Sequence, residues 1–336
     1  MYLNMDKYNK KRLTGLYNLG NTCFLNSCLQ ILNHTYELNT FLDTNTTYND
    51  NIECVLLKEW NNLRNVMWSG NGIVKPNRFV SSLQGVAKKL DFNMFSGWEQ
   101  NDISEFLFFF IECIHKGLST PKTVVINKNV NNIDNECYTL LKTTYEKEHS
   151  AIMDIFYGVS ISHIYDMKNT LKSTRPEMFF SIDLPISNRN GSYENIYKCF
   201  DNYTGAELLT GDNAWYNEST HRHQDAKKKM MFWKLPKILI IIFKRFNHNL
   251  RKNQDVISFP INDLDLKQYI VTNDSHMYDC FGICNHSGNV NGGHYTSFVK
   301  NAMDEWYHFN DTTVLNVVNK QSLVSNQAYC LFYRKK

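Results

Sequence analysis

The chain lacks an excess of charge of either sign, a long apolar run and a paired cysteine framework. Each absence removes a class of function. Its 36 basic and 33 acidic side chains leave a formal charge of +3 over 336 residues. A balance of that kind gives no field to attract nucleic acid or an anionic membrane. The apolar run 238–243 is far short of the roughly 20 residues that cross a bilayer. Residues 1–12 are polar and basic, without the apolar core of a secretory leader, and read as a flexible tail. The nine cysteines are odd in number and share no repeated spacing, whereas secreted disulfide scaffolds are dense and even. An intracellular, reducing compartment is therefore expected. No internal repeat is visible.

What is present suffices for a large packed core: 43% hydrophobic and 14% aromatic residues. At this length one large domain or several lobes are expected. Apolar spacing predicts helices over 22–41, 52–68, 76–90 and 98–118, with the aromatic cluster 106–110 in the core. The Asn- and Lys-rich stretch 120–136 reads as a surface loop or a lobe insert, and 140–156 as partly helical. The second half changes period. Strands are predicted over 160–165, 178–184, 238–246, 278–285, 295–300, 306–310 and 328–333. Helices followed by strands argue for an α+β fold with an antiparallel sheet.

The chemistry starts at Gly15-Leu16-Tyr17-Asn18-Leu19-Gly20-Asn21-Thr22-Cys23-Phe24-Leu25-Asn26-Ser27. Cys23 sits where a polar loop enters an amphipathic helix. The positive end of the helix dipole there is expected to lower the thiol pKa. The preceding loop offers amide groups for an oxyanion. A thiol nucleophile needs a base and the base an orienting partner. His294, in Gly292-Gly293-His294-Tyr295-Thr296, opens an apolar strand. Asn310 and Asp311 end the strand Trp306-Tyr307-His308-Phe309-Asn310-Asp311, which can return beside it.

With these blocks the chain resembles the ubiquitin-specific protease family of papain-like cysteine peptidases. The resemblance extends to Gln100-Asn101-Asp102-Ile103-Ser104-Glu105-Phe106, to the run from Leu235 to Phe246 ending in Lys244-Arg245-Phe246, and to His286-Ser287-Gly288. It implies a single catalytic domain over 13–336: a helical thumb at about 13–155, β fingers at about 156–235 with interleaved palm strands, and a β-rich palm at about 236–336. It implies Cys23 as nucleophile, His294 as base, Asn310 as orienter with Asp311 as alternative, and Asn18 as oxyanion donor. Asp102 and Glu105 would read the arginines of ubiquitin's tail. Gln100, His286, Gly292, Gly293 and Tyr295 would flank the channel for its terminal Gly-Gly, gated by loops near 248–254 and 287–291.

Many family members bind zinc through four cysteines at the fingertips. Here 160–173 and 215–224 contain none, and His163, His221 and His223 do not make a spaced ligand set, so zinc-free fingers are expected. The resemblance implies hydrolysis after ubiquitin's C-terminal glycine through a thioester. It implies no cofactor, ubiquitin and ubiquitinated proteins as partners, no nucleic acid or membrane, and a monomer. A catalytically impaired ubiquitin-binding module and a peptidase for a ubiquitin-like modifier are the competing readings. Without the resemblance, Asp102 and Glu105 are ordinary first-turn carboxylates, Lys227 to Lys229 a solvated face, and Cys28, Cys54, Cys113, Cys137, Cys199, Cys280, Cys284 and Cys330 core residues.

Overall fold

The computed structural model describes residue 8 and residues 13–44, 48–126, 132–188, 191–247, 249–289 and 292–336. Most of the expected N-terminal tail, His248 and the tip at 290–291 lie outside the described residues. Tyr8 does not behave as part of a loose tail. It is buried, its ring stacked on Tyr36 at 4.4 Å.

The helices are α1 (Cys23–Asn33), α2 (Tyr36–Thr44), α3 (Glu53–Ser69), α4 (Asn77–Lys89), α5 (Ile103–Leu118), α6 (Asn132–Lys147), α7 (Ala151–Phe156) and α8 (Ile196–Tyr203). The strands run β1 (Thr14–Leu16), β2 (Gly72–Val74), β3 (Gly158–Asp166), β4 (Leu171–Phe179), β5 (Ser181–Pro185), β6 (Ser187–Asn188), β7 (Gly191–Ser192), β8 (Glu207–Leu209) and β9 (Trp215–Asn217). They continue as β10 (Arg222–Gln224), β11 (Ala226–Lys234), β12 (Ile238–Lys244), β13 (Leu264–Asp265), β14 (Met277–Asn289), β15 (Gly292–Lys300), β16 (Trp306–Asn310), β17 (Thr313–Asn316) and β18 (Ala328–Lys335). The expected α+β segregation holds.

The palm sheet has the order β17-β16-β15-β14-β18-β12-β5, with β13 added to β14. Only the β12–β5 pair is parallel. Strand β12 is apolar from Ile238 to Phe243 because both faces of the sheet are covered. Ile238, Ile240 and Ile242 face the core shared with the thumb helices. Leu239, Ile241 and Phe243 face a second core with α8 and β18. The fingers are the sheet β4-β3-β11-β8, extended by the β9–β10 ribbon.

Three sequence readings are corrected. The helix expected over 22–41 is two helices, because His34 and Thr35 take the last carbonyls of the first: Thr35 Oγ1 donates to Ile31 O at 3.1 Å and His34 Nδ1 lies 2.8 Å from Gln30 O. The helix expected from 98 starts at Ile103, where the Asp102 side chain accepts the Ser104 N–H at 2.8 Å. The loop expected through 136 gives way to α6 at Asn132. Ile133, Tyr138 and Leu141 pack with Ile161 and Trp233 on the back of the fingers. Lys227 to Lys229 belong to β11, with Lys227 and Lys228 paired to both β3 and β8, and Lys229, paired to β3, exposed as a solvated face would be. The fingertip turn is closed by Asn217, whose Oδ1 accepts the Ser219 N–H at 3.0 Å and whose Nδ2 donates to Gln224 at 3.0 Å.

Candidate active site

Helix α1 is the axis of the site. It was expected to be amphipathic, yet every residue from Cys23 to Asn33 is buried between the thumb helices and the palm sheet. Its polar side chains therefore bond to the chain around it. Gln30 Nε2 donates to Thr14 O at 2.7 Å, and Asn26 Nδ2 to Asp311 Oδ1 at 2.7 Å. The loop before it turns on Gly20 (φ 106°) and Asn21 (φ 55°). Asn18 Oδ1 gathers that loop, accepting the Gly20 N–H at 3.0 Å and the Thr22 N–H at 3.2 Å. Gly15 lets the segment meet the turn after β16, since a Cβ there would stand 2.5 Å from Thr312 O.

Cys23 is the first residue of α1 and 4% exposed. Its helix packs against β15, the strand that carries Tyr295. Burial pushes the thiol up from its ordinary range. The Tyr295 N–H offsets part of that rise, and the Asp311 charge adds to it. The expected fall in pKa is thus reversed, because burial outweighs the helix terminus.

Strands β15 and β16 bring His294 and Asn310 together. Ser297 pairs with Phe309, so Asn310 lies beside the stretch of β15 that carries His294. His294 Nε2 is 2.7 Å from Asn310 Oδ1. A carboxamide oxygen only accepts, so Nε2 carries the proton and Nδ1 is left as the basic nitrogen. Asp311 does not share this role. Its carboxylate accepts the Asn18 Nδ2 at 2.9 Å and the Asn26 Nδ2 at 2.7 Å. One N–H of the Asn18 amide is thereby fixed and its second is available to a ligand.

The residues expected along the channel divide. Asp102 is half-buried and committed: Oδ1 caps α5, and Oδ2 accepts the hydroxyls of Tyr329 at 2.7 Å and Tyr295 at 3.3 Å. Glu105 is exposed. His286 is a buried wall, its ring 4.6 Å from that of Tyr295, and burial followed by the neighbouring Lys252 charge holds it down to about 4. Gly293 has to be glycine, because a Cβ would stand 2.4 Å from His286 Nε2. Gln100 bonds Gly293 on both its N–H and its C=O, and Gly292 lies beside the same amide.

A family model described as ubiquitin carboxyl-terminal hydrolase matches residues 14–333. The chain belongs to the ubiquitin carboxyl-terminal hydrolase family. Human ubiquitin carboxyl-terminal hydrolase 2 is 30% identical over 345 residues, covering 98% of this chain and 56% of the human protein. The chicken protein of the same name is 31% identical over 337 residues, covering 96% and 93%. The chain thus spans about half the length of several curated relatives it matches, the human one among them. Among solved structures, the Ubp8-containing SAGA DUB module bound to monoubiquitin superposes over 100% of this chain and 71% of that one, with a TM-score of 0.76 and 25% identity. The same module bound to ubiquitin aldehyde gives a TM-score of 0.74 and 26% identity.

In this member of the ubiquitin carboxyl-terminal hydrolase family, two positions around the site had no assigned role in the sequence. Asn26 lies inside the cysteine block and could have been suspected as a polar residue on a core-facing helix. Tyr329 carries no local signal, since it reaches Asp102 only through the palm topology.

Proposed function

We propose that the chain is a thiol-dependent deubiquitinase that hydrolyses the peptide or isopeptide bond after the C-terminal glycine of ubiquitin. The observation that carries this reading is the His294 to Asn310 bond, on a strand that packs against the helix opened by Cys23. His294 Nδ1 takes the Cys23 proton, and the sulfur attacks the glycine carbonyl carbon. The oxyanion accepts from Asn18 Nδ2 and the Cys23 N–H. Collapse expels the amine, which takes the proton from His294, and leaves a thioester. Water, deprotonated by the same nitrogen, then releases the glycine carboxylate. Asn310 orients the ring without a formal charge, so it stabilises the imidazolium less than a carboxylate would.

Residues 13–336 act as one catalytic unit in this reading. The concave face of the fingers supports it with a groove of about 1030 Å³ lined by Ser162, Trp215, Lys228 and Met230. Exposed Glu105 suits a tail arginine better than Asp102, whose oxygens are already engaged. No described helix is long and apolar enough to cross a membrane. All nine cysteines are unpaired, which favours a reducing compartment. No cofactor enters the steps.

An electrophilic ubiquitin probe tests the reading. It is expected to label the protein at Cys23. Cys23→Ala should abolish labelling while ubiquitin binding persists. Labelling of the Cys23→Ala protein would overturn the assignment, and preferential reaction with a ubiquitin-like probe would redirect it.

A further inference from the structure

Strand β15 has a free edge beside the nucleophile. It pairs with β16 only from Ser297 to Lys300, so the stretch 292–296 has β14 on one side and no strand on the other among the described residues. In an antiparallel pair, alternate residues turn their N–H and C=O away from the partner. Gly293 and Tyr295 share that outward side. The Tyr295 N–H holds the Cys23 thiol pKa down in part, and β15 packs against the helix that Cys23 opens. Gly293 presents its N–H to Gln100 Oε1 at 2.8 Å and its C=O to Gln100 Nε2 at 2.9 Å.

A primary amide that accepts through oxygen and donates through nitrogen offers what a neighbouring strand offers. The occupied position is two residues, about 7 Å, from Tyr295. Gln100 comes from the opposite wall of the cleft, in the segment entering α5. That segment is also tied to the Cys23 loop, since Asn21 Nδ2 donates to Trp98 O at 2.9 Å.

We propose that Gln100 is a latch standing in for substrate backbone. Resting on the deubiquitinase reading above, an extended tail bound for Cys23 adds to the free edge of β15 and does so by displacing the Gln100 amide from Gly293. Gln100 thus sets how fast the tail enters. Both bonds are neutral and exposed, so the latch holds the closed arrangement only modestly. Apparent affinity falls by the fraction of molecules that are open. For two bonds of this kind that is a factor of about 3 to 10.

The test measures association and dissociation of ubiquitin in a Cys23→Ala background. Gln100→Ala should raise the association rate about 3- to 10-fold and leave dissociation unchanged. Gln100→Glu keeps the length of the side chain but loses the donor to Gly293 and sets a carboxylate against its carbonyl. It should show the same sign. An unchanged association rate, or faster dissociation because Gln100 grips the bound tail, would overturn the latch alone. Failure of every variant to bind ubiquitin would defeat the deubiquitinase reading and the latch with it.

Discussion

Asn310 and Asp311 are neighbours with separate partners, and a double-mutant cycle between Asp311 and Asn18 tests that separation. Asp311 holds the Asn18 amide at 2.9 Å and lies near enough to Cys23 to raise the thiol pKa. Its substitution therefore has two effects of opposite sign. A hydrogen bond to a charged group is worth about 1.5 to 3 kcal/mol. At about 1.4 kcal/mol per factor of ten, Asp311→Ala should lower kcat on a fluorogenic ubiquitin amide by about 10- to 150-fold, with little change in KM. Asn18→Ala, which removes the proposed oxyanion donor outright, should cost about 100- to 1000-fold. Because Asp311 acts through Asn18, the double variant should fall within about 3-fold of Asn18→Ala. At the same time the pH midpoint for alkylation of Cys23 should move down in Asp311→Ala, since a nearby negative charge is gone. A slower enzyme with a more easily ionised thiol is the signature. Losses that multiply, or an alkylation midpoint that rises, would refute the reasoning and return Asp311 to the role of a histidine orienter.

Two further predictions concern stability. Burial holds His34 and His286 down to about 4, and they are only 1% and 4% exposed. Between that value and about 6.5 the unfolded chain binds protons that the folded chain refuses, so their stabilisation is full above pH 6.5 and is lost as pH falls. Each should cost about 2 kcal/mol between pH 7 and pH 5, read as a lower urea midpoint, and a flat midpoint over that range would contradict it. Asp102→Ala should destabilise by about 2 to 4 kcal/mol, since it removes the α5 cap and strips two buried tyrosine hydroxyls of their acceptor. Asp102→Asn should lose less, and equal stability of all three proteins in urea would mean that Asp102 serves only a ligand.

The strands of the palm were legible because their pattern is local. Six apolar residues in β12 announce a buried strand, and the block from Trp306 to Asn310 a half-buried one, located to the residue. The three residues proposed for catalysis were legible because each sits in a short motif. Helix α6 and strand β11 were not, because their reasons for existing are tertiary. Only Cys137 of α6 is fully buried, and β11 shows a run of lysines until β3 and β8 supply its ladders. The same limit explains Asp102. Its position in the motif suggests a ligand-reading acid, whereas Tyr329, more than two hundred residues later, uses the carboxylate to tie α5 to the palm.

The charge state of Cys23 was misjudged for a reason of magnitude. A helix N-terminus favours an anion by about 0.3 to 1 kcal/mol at an exposed site. Desolvating an ion costs several kcal/mol. Cys23 lies in the wall between α1 and β15, with Asp311 close by, so the larger effect decides and the group rests as a thiol. In the proposed reaction the proton must then leave as the sulfur attacks, which places the demand on His294 Nδ1 as a general base. That nitrogen is basic only while Nε2 keeps its proton, and Nε2 keeps it because Asn310 presents an oxygen that can do nothing but accept. A neutral orienter is consistent with a neutral thiol, because burial of Cys23 disfavours its charged form.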